Sequence, residues 1–113
     1  MSDVEGWMED HTSIRELNDR ARSTLLGCRV MVTQGIQALN DIAAILHKVA
    51  TFDTFTEDND PHGEHDFGTL LHKGETIFWK FDYYDRSLTS GSENPADPEV
   101  TVRVLTLMLA WEY

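Results

Sequence analysis

Seven side chains able to hold a metal or engage a proton fall within nine residues: Asp58, Asn59, Asp60, His62, Glu64, His65 and Asp66. Carboxylates and imidazoles are ligands for divalent cations, and a zinc or manganese site would draw on His62, Glu64, His65 and Asp66. In a metal-dependent hydrolase of this kind, His62 or His65 would bind the metal or move a proton. Glu64 or Asp66 would then act as base or orienting group. Tyr83, Tyr84 and Asp85 could complete the site from the end of a later strand. The H-x-x-H spacing lies in a loop and lacks the helical H-E-x-x-H pattern of metalloproteases. Asp58, Asp60, Gly63 and Asp66 copy part of a calcium-binding loop. Thr69 stands where the bidentate Glu belongs, which excludes the standard helix–loop–helix calcium site.

The same run has a purely architectural reading. Asp and Asn close turns through side-chain bonds to the backbone, and Pro61 and Gly63 fix such turns without any ligand. His65 would then bond the neighbouring backbone or Tyr83.

Charge narrows the choice of partners. The chain has 113 residues and a net charge of −11. Residues 1–11 carry Asp3, Glu5, Glu9 and Asp10 without a Lys or Arg, and residues 54–68 carry Glu57, Asp58, Asp60, Glu64 and Asp66 without one. Phosphate backbones need cationic partners, so direct nucleic-acid binding is disfavoured. A basic protein or a cation suits this surface better. The single cysteine, Cys28, permits no internal disulfide and suits a reducing compartment. The acidic start is unlike a signal peptide, and no apolar run reaches the length of a membrane span. These features predict a cytoplasmic protein.

Positioning the acidic run falls to one α+β domain. Residues 1–11 read as an acidic flexible lead-in carrying Trp7, and residues 12–113 as the domain. A Ser13/Glu16 capping box predicts a first helix, with Ile14, Leu17, Ala21 and Leu25 on one face and Gly27 near its end. Arg15, Arg20 and Arg22 read as a solvated basic face. Val30 and Val32 mark a short strand after Cys28, Gln34-Gly35 a turn. Asn40 or Asp41 starts a helix bearing Ile42, Ile45, Leu46, Val49 and Phe52. Residues 54–66 form a long loop. A β-hairpin follows, turning at Lys73-Gly74, with Ile77, Trp79, Phe81 and Tyr83 facing the core. After a second loop, Asp97-Pro98 predicts a last helix with Val100, Val104, Leu107, Met108 and Trp111 on one face. Alternation at Val100, Val102 and Val104 argues for a strand instead. The resulting order is α-β-α-β-β-α, with helices on one face of a small antiparallel sheet. Phe78, Trp79 and Phe81 suit core packing better than base stacking, because Lys80 is their lone neighbouring cation.

The run from Phe55 through Asn59-Asp60-Pro61-His62-Gly63-Glu64-His65-Asp66-Phe67-Gly68 is long and unusual. Together with Phe78–Asp85, Ala96-Asp97-Pro98 and Arg103–Ala110, it resembles the bacterial domain-of-unknown-function family 3768, from about Ile14 onward. The chain departs from the family pattern in its acidic first eleven residues and at Trp111. The resemblance supplies no catalytic residues. It implies a bacterial setting, in which some members lie near genes associated with the protection of mobile DNA.

These observations predict a non-enzymatic binding protein that uses Glu57, Asp58, Asp60, Glu64 and Asp66 to imitate phosphate charge in the basic groove of a nucleic-acid-handling protein. Such a protein would inhibit host defence, as an anti-restriction or anti-CRISPR factor, and would need no cofactor. The alternative is a protein binding a divalent metal, or a hydrolase, on the Asp58–Asp66 loop. A third reading is an assembly protein joined through Trp7 and Trp111.

Overall fold

Period-two alternation builds the centre of the molecule. In the computed structural model, β1 (Arg29–Val32), β2 (Phe67–His72), β3 (Glu75–Tyr84) and β4 (Val102–Leu109) form one sheet in the order β1-β4-β3-β2. The β1–β4 pair is parallel and the other two pairs are antiparallel, so the sheet is mixed. The structure describes the backbone from Asp3 to Tyr113 and the side chains from His11 onward; Met1, Ser2 and the Trp7 side chain lie outside the described residues.

Alternate residues of β3 and β4 point to the same side. Ile77, Trp79 and Phe81 are buried together with Leu105, Leu107 and Leu109. Helices α1 (Asp3–Thr24), α2 (Gln34–Ala38) and α3 (Ile42–Ala50) close this side through Ala21, Ile36, Ile45 and Val49. Each large side chain removed fully from water there contributes about 1.5–3 kcal/mol before ordering costs. The α+β class, the hairpin and its inward-facing set are as the sequence predicts. Lys73 (φ 51°) and Gly74 (φ 82°) turn the hairpin with both central residues left-handed, which matches strand twist.

Three elements differ from expectation. The first helix does not begin at Ser13; it starts at Asp3 and runs through the proposed capping box. It ends at Leu25 (φ 62°), and Gly27 (φ 79°) then turns the chain into β1. Gln34-Gly35 opens the short α2 rather than a turn, with Thr33 accepting the Ile36 N–H. Residues 102–109 are a strand, not a helix. Leu107 and Met108 face opposite sides of the sheet, while Trp111 is 76% exposed beyond it. The β-branched residues Val102, Val104 and Thr106 favour the extended chain. Asp97-Pro98 makes a tight turn instead, in which Asp97 Oδ1 accepts the Glu99 N–H at 2.9 Å.

Among the described residues no helix is long and apolar enough to cross a membrane.

Candidate functional site

The acidic loop is built around a buried carboxylate. Asp60 is buried, and its Oδ1 accepts the backbone N–H groups of Glu64 and His65, both at 3.1 Å. Asn59 closes the preceding turn, accepting from Thr56 N at 2.8 Å and donating to the Thr54 carbonyl at 3.0 Å. Gly63 (φ 65°) and His65 (φ 54°) supply the left-handed steps that bend the loop back. Buried polar groups must find partners, and this loop satisfies them internally.

His65 fastens the loop to the first helix. Its Nδ1 lies 2.8 Å from Asp19 Oδ1, and its Nε2 lies 3.5 Å from Asp60 Oδ2. The ring stacks on Phe55 with centroids 3.7 Å apart. His62 takes a different direction and stacks on His11 of α1, at 5.6 Å. Glu64 pairs with His11 at 2.5 Å. Arg15 reaches the Gly63 carbonyl. The Asp66 carboxyl is half-buried, and burial pushes its pKa above the ordinary value, with Asp60 adding repulsion.

His62 and Glu64 therefore both meet His11, whereas His65 turns to Asp19 and Phe55. Among the described residues no group of three or more His, Cys, Asp or Glu side chains is arranged to hold a metal ion. Tyr84 stands on the opposite face of the sheet from Tyr83, and the Asp85 carboxylate accepts hydrogen bonds from Ser87 Oγ and the Thr89 N–H while its own N–H donates to the Ser90 carbonyl. Of the acidic-loop carboxylates, Glu57 and Asp58 are the exposed ones.

Behind the loop lies a polar hub that the sequence reading did not pick out. Asn18 is fully buried; its Nδ2 donates to the Glu64 carbonyl at 3.0 Å and the Tyr83 hydroxyl at 2.8 Å, while its Oδ1 accepts from Arg103 Nε at 2.7 Å. Arg103 also donates to the Pro95 carbonyl at 2.6 Å and lies over the Tyr83 ring. Burial raises the Tyr83 pKa and lowers that of Arg103. Arg22, expected on a solvated face, is buried: it donates to the carbonyls of Val49 and Phe52, each at 2.8 Å, and pairs with Asp19 at 3.0 Å. It thereby satisfies the last carbonyls of α3, where a cation also suits the dipole. Its guanidinium lies 5.0 Å from the Trp79 ring.

A second anchor ties the sheet to α2. Glu112 accepts from Thr33 Oγ1 at 2.6 Å, Leu109 N at 2.8 Å and Gly35 N at 3.1 Å. Burial alone would raise its pKa, but these three hydrogen bonds hold it below the usual carboxylate range. Cys28 is partly buried, and that burial raises its thiol pKa, which disfavours the thiolate a nucleophile requires.

The fold and the loop define a small α+β domain with helices on one side of a mixed sheet and an acidic loop clamped to its longest helix. The chain belongs to the DUF3768 family, described as protein of unknown function, whose family model matches residues 32–112. The match takes in α2, α3, the acidic loop and β2 to β4, and it begins at Val32 rather than Ile14. Neither a curated protein nor a solved structure matches the chain.

Proposed function

We propose that this protein is a non-enzymatic binding protein of the bacterial cytoplasm that presents an ordered acidic surface to a basic partner, occupying a groove made for phosphates. The observation that supports this reading is the docking of the acidic loop on α1. His11, Arg15 and Asn18 of α1 contact Glu64, Gly63 and Glu64 of the loop respectively. The helix that begins at Asp3 and carries Glu5, Glu9 and Asp10 thus continues directly into the residues that grip the second acidic stretch. Glu57 and Asp58 are exposed on a loop whose shape is set by Asp60, so their charges are held in place before any partner arrives. Preorganised charge steers association and costs little further ordering on binding.

A basic nucleic-acid-handling protein, such as a restriction or CRISPR component, is the partner class this charge pattern fits. The immobilised protein is expected to retain basic DNA-binding proteins at low salt and to release them when double-stranded DNA is added. Glu57→Lys together with Asp58→Lys should abolish retention without lowering the melting temperature. Retention that survives this reversal and ignores added DNA would defeat the proposal.

A further inference from the structure

The face of the sheet that the helices leave open is hollowed. Strand register puts Arg29 and Met31 of β1, Val104 and Thr106 of β4, and Lys80 and Asp82 of β3 together on this face. They floor a hollow of about 770 Å3 that Tyr84, Leu88 and Tyr113 border. That volume lies within the range for small-ligand sites, about 300–1,000 Å3. Met31, Tyr84, Leu88 and Tyr113 are large apolar side chains left exposed to water, and all four meet at this one hollow. Exposed apolar surface gathered in one place marks a binding site, whereas scattered exposure does not. Tyr113 is held edge-on against Phe78, with ring centroids 5.7 Å apart.

The charged side chains of the hollow are matched except for one. Lys80 Nζ lies 2.8 Å from Asp82 Oδ2. Glu112, at the rim, already accepts from Thr33 Oγ1 and from the N–H groups of Gly35 and Leu109. Among the described residues, Arg29 alone of the charged side chains lining the hollow takes no hydrogen bond or ion pair. Val104 stands between Arg29 and Asp82 in the register. At ordinary strand spacing their backbones are therefore about 10 Å apart, and Asp82 turns to Lys80 instead. The hollow thus offers an apolar floor with one unanswered positive charge at its β1 side.

We infer that this hollow is a binding site for a small aromatic carboxylate, with the carboxylate on Arg29 and the ring laid across Val104 and Thr106 against Met31 and Tyr84. The guanidinium fork matches a carboxylate through two parallel hydrogen bonds, and a methionine thioether makes favourable contacts with rings. A second negative charge on the ligand would be repelled by Asp82 and Glu112, which selects a monoanion. The net charge of −11 opposes any anion at long range, but at physiological salt the Debye length is about 8 Å and most of that repulsion is screened. The site lies on the sheet face opposite the helices and does not depend on the function proposed for the acidic loop.

The test is calorimetric titration of the full chain at physiological salt with cinnamate and with its neutral amide, beside Arg29→Gln and Met31→Glu. Both positions are exposed, and circular dichroism with the melting temperature verifies that each variant keeps its fold. Saturable binding of cinnamate, about tenfold or more tighter than that of the amide, is the expected result. Arg29→Gln should remove this difference, and Met31→Glu should abolish cinnamate binding by setting a like charge on the floor of the hollow. No saturable binding of cinnamate to the wild-type chain, equal affinities for the acid and the amide, or an affinity unchanged in Arg29→Gln would overturn the site. Sedimentation of the same samples supplies one more outcome: a wild-type dimer that excludes cinnamate and that Met31→Glu separates would show that a second copy covers this face, which overturns the site as well.

Discussion

Arg103 donates its Nε–H to Asn18 Oδ1 at 2.7 Å, joining the start of β4 to the middle of α1 across 85 residues of sequence. Asn18 serves its neighbours in both directions: its amide donates to Tyr83 and the Glu64 carbonyl while its oxygen accepts from Arg103. Replacing it with Leu leaves a buried guanidinium, a phenol and a carbonyl short of partners. Asn18→Leu is expected to destabilise the fold by about 2–4 kcal/mol, read from urea unfolding. A loss below about 0.5 kcal/mol would show that the hub reorganises at little cost.

The acidic loop separates into internal and outward carboxylates. Asp60 satisfies two backbone donors, so Asp60→Ala should cost about 1–3 kcal/mol. Asp58→Ala, at an exposed position, should stay within about 0.5 kcal/mol of wild type. Thermal unfolding of the two variants side by side measures the contrast. Equal effects would contradict the roles assigned to the two residues.

Gly68 lies directly under the Trp79 indole. A Cβ there would come 2.3 Å from Trp79 Nε1 and 2.5 Å from Cε2, and Trp79 is itself fully buried. Gly68→Ala therefore forces the ring or the β2 backbone to move, at a cost of about 1–3 kcal/mol. Loss of the sharp near-ultraviolet dichroism of Trp79 should accompany the lower melting temperature.

Two carboxyl groups give opposite pH dependences. Burial raises the Asp66 pKa, so its ionised form lowers stability at neutral pH, and that penalty fades as the pH falls below the ordinary carboxylate value. Asp66→Asn should raise the melting temperature at about pH 7 and change little near about pH 3. Hydrogen bonds from Lys73 and His72 lower the Asp41 pKa, so its contribution is present above the ordinary value and lost as pH falls through the native one. Asp41→Asn should lower the neutral-pH melting temperature and flatten its decline in acid. Identical pH profiles for both variants would refute the assignment.

Local pattern made α3 and the hairpin legible. Ile45 and Val49 have helical spacing, and Lys73-Gly74 is a turn that few other residue pairs form so readily. β4 was harder to read, because apolar residues on both of its faces also satisfy a helical stripe. Its better signal was the β-branched alternation from Val102 through Thr106. Asn18, Arg22 and Arg103 escaped because distant partners bury them; Arg22 meets the carbonyls of Val49 and Phe52, 27 and 30 residues away. Arg103 did carry a clue, since it shares the inward phase of Leu105, Leu107 and Leu109. The acidic loop was recognisable by composition, but which of its carboxylates faced inward depended on the helix packed behind it.

β4 occupies the middle of the sheet yet is the last of its four strands along the chain. Neither β1 nor the β2–β3 hairpin can complete its backbone pairing until β4 has left the ribosome. Until then, a nascent or heat-opened molecule has two unmatched edges separated by the width of one strand. The β4 of a neighbouring molecule fits that gap as well as its own does, because every register contact is identical. Crowded refolding would thus yield reciprocal exchange of this strand, with pairs of molecules locked together through native contacts.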